Sequence, residues 1–434
     1  MKYYCIGIKG TGMSTLAQIL YDLGNEVSGY DDVADYKFTQ KGLEERGINI
    51  YYDSNHEIDK DTIVTYSVAF KEDHKEMKRV KELGLTIKKY NEILGDIVSM
   101  FSTIGVSGTH GKTTTSSLIK HILTDSVGCN YFIGAGDGKV DRNNKYFVIE
   151  SDEFNRHFLA YHPKYSIITN IEAEHLECYS DIDDIRNTFE KFAQNTKEFV
   201  VACGDNEEIR KIDYKCDVIF YGEQEDNDYT IKNLELTSDG SSFDLYNDNK
   251  LFSNFSIPLF GLHMVFDAVA AIIMCNKIGI SIEQIKESLK TFKNAKRRFE
   301  IEKVDNSIII DDYAHHPTEI KATLEAVKQK YPDKKLVVIF KPNTYSRTKD
   351  FTDDFVNSLS IADKVFLTEI DSNRERAEDY PGVTSHLITD QIENSEIIDE
   401  NSIYKIKEYK GNVICFMSCA SVSHLIDEAK KTLK

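Results

Sequence analysis

The chain is poor in everything that would separate its parts. It has six prolines in 434 residues and no Gly/Ser- or Pro-rich stretch, so its domains are expected to pack against one another and meet at hinges. No segment approaches the roughly 18 uncharged apolar residues that a membrane span requires. The opening MKYYCIGIKG has no signal-peptide core and reads as a first strand entering a glycine loop, as in a cytoplasmic protein. None of the eight cysteines (Cys5, Cys129, Cys178, Cys203, Cys216, Cys275, Cys415, Cys419) forms a C-x-x-C pair, which favours reduced thiols in core positions over a metal or redox site. Positive charge is short as well: 53 Lys and Arg against 72 Asp and Glu leave a net charge of -19. That excludes nucleic acid and anionic membrane as general partners, because both need clustered cations. No internal repeat is visible.

What is present is an alternation of short apolar runs with amphipathic stretches. A chain of this length exceeds one core and is expected to form two or three domains. YYCIGI (3–8), NEVSGYDD (25–32) and TIVTYS (62–67) predict strands, with helices over 13–24 and 72–84 between and after them. A second block opens at FSTIGVSGTHGK and continues through YFVIESDE (146–153), YSIITNIEAEH (165–175) and EFVVACGDNEE (198–208). A third follows KRRFEI (296–301) with SIIIDDYAHHP, KKLVVIFKPN, DKVFLTEI and GNVICFMS. This βαβ rhythm predicts an α/β protein with parallel sheets and joints near 97–102 and 294–299.

Two glycine loops carry the chemistry. GIKGTGMS (7–14) lies between a strand and a helix, where the backbone can approach a diphosphate at the helix N-terminus. Asp31 follows about twenty residues on, at the place where such folds bind a ribose hydroxyl. SGTHGKTT (107–114) is a compact relative of the P-loop. Its backbone N–H groups can cradle phosphates, Lys112 can reach the terminal ones and Thr113 can ligate Mg²⁺. The standard spacing wants glycine at 106, where this chain has Val106. Carboxylates at Glu150, Asp152 and Glu153 end another strand, as a second Mg²⁺ ligand would. Glu172, Glu174 and His175 end a further one. Asp311, Asp312, Tyr313, His315 and His316 follow a third-block strand, and Asn343 and Arg347 follow the next. There is no Ser–His–Asp elbow, so a nucleotide, Mg²⁺ and a second diphosphate loop remain to be explained together.

In combination these segments resemble the Mur ligases nearly end to end: GIKGTGMSTLA, SGTHGKTTT, RHFLAYHPKYSIITNIEAEH, GLHMVFDAVAAI, AKRRFE, DDYAHHPTEI and KPNTYSRT. The first, fifth and sixth point to the alanine-adding branch. The resemblance implies three domains: residues 1–98, Rossmann-like, for the UDP moiety; 99–297, P-loop ATPase-like, for ATP; and 298–434, Rossmann-like, closing over nucleotide and amino acid. It implies amide formation from a carboxylate and an amine through an acyl phosphate, with UDP-N-acetylmuramate, ATP and L-alanine as substrates, Mg²⁺ as cofactor, and a monomer or homodimer. By motif match, Gly10, Gly12, Met13, Ser14 and Asp31 should bind the UDP part. Gly108, Thr109, His110, Gly111, Lys112, Thr113, Thr114, Asp267 and Asp311 should bind ATP. Thr113 and Glu150 should hold one Mg²⁺ and His175 a second. Arg298 should approach the terminal phosphate, while Tyr313, His315, Asn343 and Arg347 should place the alanine and the incoming phosphate.

Three places depart from the family pattern. Asp267 stands where an Asn contacts adenine, and an ionised Asp only accepts hydrogen bonds. Lys341 and Asn343 replace a Q-P-H. Ser418 to Val422 replace a glycine-bearing G-A-G-D-I turn, losing both the positive-φ residues and the Asp. A relative that adds another amino acid or a peptide, and a UDP-sugar binder without turnover, are the alternative readings.

Overall fold

Apolar runs of four to six residues are too short for buried helices, and here they become parallel strands covered on both faces. The computed structural model describes residues 1–134, 136–174, 178–372 and 375–434. It shows a three-domain α/β fold built on three sheets. The chain divides into two compact units, one of residues 1–232, 245–253 and 266–289, the other of 233–244, 254–265 and 290–434.

The first sheet comprises β1 (Lys2–Ile6), β2 (Glu26–Tyr30), β3 (Asn49–Tyr51), β4 (Thr62–Tyr66) and β5 (Thr86–Ile87), all parallel in the order β3-β2-β1-β4-β5. Helices α1 (Thr11–Asp22), α2 (Gln40–Glu44), α3 (Lys75–Glu82) and α4 (Tyr90–Val98) connect it and lead out of it. Chain order reverses at β1, so the first glycine loop lies at a topological switch point, where open α/β sheets bind ligands.

The second sheet is larger. It contains β6 (Ser102–Ser107), β7 (Asn130–Ile133), β8 (Asp137–Lys139), β9 (Tyr146–Glu150), β10 (Tyr165–Ile168), β11 (Phe199–Cys203), β12 (Asp217–Gly222), β13 (Tyr229–Thr237), β14 (Gly240–Asn247) and β15 (Lys250–Ile257), ordered β15-β14-β13-β12-β11-β10-β6-β9-β7-β8. Its parallel centre holds β6 between β9 and β10. Helix α5 (Lys112–Ser126) leaves β6 through the phosphate loop. It is followed by α6 (Ile182–Gln194), α7 (Glu207–Arg210), α8 (Leu262–Lys277) and α9 (Ile282–Thr291). Asp181 caps α6 by accepting the Asp184 N–H at 2.8 Å, which fixes where that helix starts.

The third sheet has β16 (Glu300–Val304), β17 (Ser307–Asp312), β18 (Leu336–Phe340), β19 (Lys364–Leu367), β20 (Ser395–Ile397) and β21 (Val413–Met417) in the order β16-β17-β21-β18-β19-β20. Its edge strand β16 is antiparallel to β17, so the sheet is mixed and not purely parallel. Successive residues point to opposite faces. Ile308, Ile310, Leu336, Val338 and Phe340 pack with residues of α10 (Pro317–Lys330), α12 (Thr352–Leu359) and α13 (His386–Thr389). Ile309, Val337, Ile339, Ile414 and Phe416 pack with α14 (Ser423–Leu433). The short α11 (Tyr345–Asp350) follows β18.

Ile310 is fully buried in the first of these layers. Replacing it with Ala should cost the third-sheet unit about 2–5 kcal/mol, read as an earlier midpoint in urea denaturation. An unchanged midpoint would place Ile310 outside the core.

Candidate active site

The phosphate loop begins where β6 ends. Gly111 caps α5 with φ 81°, a left-handed conformation suited to glycine, and an added Cβ there would collide with the Asp267 carboxylate. The loop then turns Lys112 inward. Its ammonium donates to the Gly108 carbonyl at 2.5 Å, the Thr109 carbonyl at 2.9 Å and Glu153 Oε1 at 2.9 Å. Burial works against this charge, but Glu153, Asp152 and Glu150 outweigh it and raise its pKa. Thr113, one residue on, donates its hydroxyl to Glu150 at 3.0 and 3.1 Å, and Glu150 also accepts the Gly134 N–H at 2.7 Å. A hydroxyl and a carboxylate at the carboxyl ends of the adjacent strands β6 and β9 make a hard oxygen pair that suits Mg²⁺.

The far side of the loop is fastened to the segment after β10. The His110 N–H donates to Asn170 Oδ1 at 2.8 Å, and the His110 carbonyl accepts from Asn170 Nδ2 at 3.1 Å and Thr169 Oγ1 at 2.5 Å. Thr109 accepts the Glu172 N–H at 2.9 Å, and the His110 ring lies 3.5 Å from Glu172. Thr169 and Asn170 are therefore part of the site although the motifs singled out neither, and Glu153, one of the three carboxylates expected near Mg²⁺, instead pairs with Lys112. The signal available was their place at strand carboxyl ends. His175 lies outside the described residues. Asp267, 5% exposed, accepts the Thr115 hydroxyl at 3.0 Å and backs the loop at Gly111. Thr114 is buried as well.

The first glycine loop is organised differently. Gly10 caps α1 without any side-chain cap, which leaves the first-turn N–H groups to face a ligand. Gly12 lies under the Tyr90 ring: an added Cβ would stand 2.8 Å from Tyr90 Oη, so the ring would have to shift. The side chains of Met13 and Ser14 are 3% and 1% exposed, and the Ser14 hydroxyl donates to the Thr39 carbonyl at 2.8 Å. Gly10, Thr11 and Gly12 beside them are partly exposed. Asp31 is also buried, and its carboxylate accepts the Lys9 N–H at 3.0 Å and the Val33 N–H at 3.2 Å.

In the second unit the carboxyl ends of β17, β21 and β18 lie side by side. Arg298 lies over the Tyr313 ring at 4.9 Å, and Tyr313 meets His315 edge-on at 5.5 Å. His315 Nδ1 lies 3.1 Å from Glu319. Arg347 donates to Asn343 at 3.1 Å, and Lys341 pairs with Asp371 at 2.7 Å. Burial raises the carboxyls of Asp311 and Asp312, opposed by Arg297 at Asp311 and by Arg298 at Asp312. Arg297, which the motifs did not single out, reaches from Asp311 to the carbonyls of Ser418 at 2.6 Å and Ala420 at 2.8 Å.

Two glycine-loop helix starts, a P-loop lysine and a Thr–Glu pair define a nucleotide-dependent enzyme class, and the chain belongs to the Mur ligase family. Three descriptions of that family match in succession: Mur ligase family, catalytic domain, over residues 2–102; Mur ligase middle domain over 106–275; and Mur ligase, glutamate ligase domain, over 297–419. It is 42% identical over 422 residues to the UDP-N-acetylmuramate–L-alanine ligase of Ligilactobacillus salivarius, covering 97% of this chain and 94% of the relative. The crystal structure of the UDP-N-acetylmuramate–alanine ligase MurC of Thermotoga maritima superposes with a TM-score of 0.79 at 25% identity, covering 100% of this chain and 98% of that one. A murein peptide ligase of Psychrobacter arcticus shares the fold at TM-score 0.68 and 23% identity, covering 100% and 98%.

One titration follows from the second unit. Burial pushes His263 down to about 4, with Arg298 adding to the shift and Glu319 opposing it. The imidazole is therefore neutral when folded and titrates near 6.5 when unfolded. Its contribution to stability is complete above that value and is lost as the pH falls toward 4. Thermal denaturation of His263→Gln should consequently show a shallower loss of stability between pH 7 and 4 than the wild type. Parallel losses would mean that the ring is not held neutral.

Proposed function

We propose that this chain is a cytoplasmic, ATP-dependent ligase that joins the amine of L-alanine to the lactyl carboxylate of UDP-N-acetylmuramate in peptidoglycan precursor synthesis. The observation that carries this reading is the 42% identity to an alanine-adding ligase along 97% of the chain. The geometry around Lys112, Thr113 and Glu150 supports its ATP half.

A carboxylate resists amines because its oxygen leaves poorly. In this reading a carboxylate oxygen attacks the γ-phosphorus of ATP, the bond to ADP breaks, and an acyl phosphate results. The alanine nitrogen, having lost one proton, attacks the acyl carbon. The C–N bond forms, phosphate leaves with the C–O electrons, and the nitrogen releases a second proton. No protein nucleophile is required, and the protein's task is to position two anions and offset their charge. Lys112 and the N–H groups from Gly111 to Thr114 would hold the phosphates, while those of Thr109 and His110, bonded to Asn170, would hold the rest of the loop in shape. Thr113 and Glu150 would hold a Mg²⁺, whose charge offsets that of the phosphates, and His175 is assigned to a second ion. The first glycine loop, with Asp31, would take the UDP part. Arg298 and Asp311 are assigned to the nucleotide, and Tyr313, His315, Asn343 and Arg347 to alanine and phosphate. Residues 1–98, 99–297 and 298–434 divide these roles.

The test is incubation with UDP-N-acetylmuramate, Mg-ATP and a panel of amino acids and short peptides, following phosphate release and product mass. Release dependent on L-alanine supports the reading, whereas release with another amine or a peptide replaces its amino-acid half. Lys112→Ala should lower turnover by about 10²–10³-fold or more. Turnover close to wild type would remove this loop from the phosphate site.

A further inference from the structure

The segment 31–39 follows β2 and lies against the first glycine loop without helix or strand of its own. Its two ends are buried, at Asp31 and Thr39, but its middle is not: Val33, Tyr36 and Phe38 are 40%, 63% and 76% exposed. Such a segment has no apolar burial to hold it in place. Tyr30 and His74 hold Asp32 near its start and Ser14 holds Thr39 at its end, but what reaches its middle is Lys9, the residue between Ile8 and Gly10. Lys9 is 1% exposed, and its ammonium donates to the Val33 carbonyl at 2.6 Å and the Asp35 carbonyl at 2.7 Å. The remaining side of the ammonium faces Tyr52, whose hydroxyl is 3.5 Å away and whose ring centroid is 5.0 Å away. The Lys9 backbone completes the attachment: its N–H donates to Asp31 at 3.0 Å and its carbonyl accepts the Thr39 hydroxyl at 2.7 Å. One residue thus ties the start, middle and end of the segment to the turn that opens α1.

A buried ammonium is costly unless its donors are met. Here they are met by main-chain carbonyls of a loop, so the charge stays satisfied only while that loop stays in place. We propose that Lys9 is a positioning residue, a buried fastener that holds segment 31–39 against the glycine loop and so presets the binding site for the UDP part of the sugar nucleotide. This rests on the proposed substrate. Met at this position would keep the buried stem and remove the donors. The loop would then sample open conformations, and the substrate would have to order it on binding.

The experiment compares wild type with Lys9→Met by amide hydrogen exchange without ligand and by steady-state kinetics. Exchange across residues 31–39 should accelerate about tenfold or more. KM for UDP-N-acetylmuramate should rise by a similar factor, while kcat and KM for ATP stay within about twofold. A folded Lys9→Met with unchanged exchange and unchanged KM overturns the proposal. If that variant does not fold, Tyr52→Leu leaves Lys9 in place and removes one wall of its cage. A smaller rise in exchange over the same residues supports the proposal, and none overturns it. Should wild-type protein not turn over UDP-N-acetylmuramate, the substrate reading fails, and the exchange comparison alone decides the role of Lys9.

Discussion

The charge on Lys112 is the constraint that the carboxyl edge of the central sheet has to satisfy. Taking an ammonium out of water costs several kcal/mol, and only good partners offset it. Here the partners are Glu153 and two carbonyls of the same loop, those of Gly108 and Thr109. The loop's conformation and the neutralisation of its lysine are therefore a single problem. If the turn at Gly111 changes, the carbonyls move and the charge loses its partners. If the charge is removed, the carbonyls lose a reason to point inward. The fastening of His110 and Thr109 to Thr169, Asn170 and Glu172 makes the arrangement rigid from the other side.

Two glycines that follow β7, Gly134 and Gly136, lie one against each of the two glycine-loop regions. Glu150, which accepts from Thr113, also accepts the Gly134 N–H, and Gly136 lies against Thr11, where an added Cβ would stand 3.0 Å from the Thr11 methyl. Gly134 and Gly136 thus border the Thr–Glu pair and the start of α1 respectively. That suits an enzyme whose two phosphate-bearing substrates must be held at a fixed separation, since a misplacement of about 1 Å can cost 10²-fold in rate.

The parallel strands that carry the site were legible in the sequence because each is an apolar run ending at a glycine or a polar cluster. The edge elements were not. β13, for example, is buried only over its first three residues, so it presents no run to read. The antiparallel β16 has the same weakness, with four of its five residues exposed. Within the site, Lys112 and Thr113 could be read from local spacing. Asn170 could not be tied to His110, because the bond joins residues 60 apart in the chain and only the β6–β10 pairing brings them together. The burial of Met13 and Ser14 was not legible either, because the motif gives their place in the loop and not which way they face.

The turn at 418–422 lacks the glycines of the expected motif and is held by side chains. Glycines at a strand-to-helix turn are needed when the backbone must enter the left-handed region. None of the residues 418–422 has a positive φ, so no glycine is required of them. The turn is closed by side chains instead. The Ser418 hydroxyl donates to the Lys341 carbonyl at 2.8 Å and accepts the Ala420 N–H at 3.0 Å, while Arg297 gathers the Ser418 and Ala420 carbonyls. Arg297 itself stands at φ 57°, one residue before Arg298, and its Nε–H points at Asp311. Left-handed backbone lies instead at Arg297 and Phe299, on either side of Arg298. Arg297 thereby joins Asp311 to the backbone of a turn that needs no glycine.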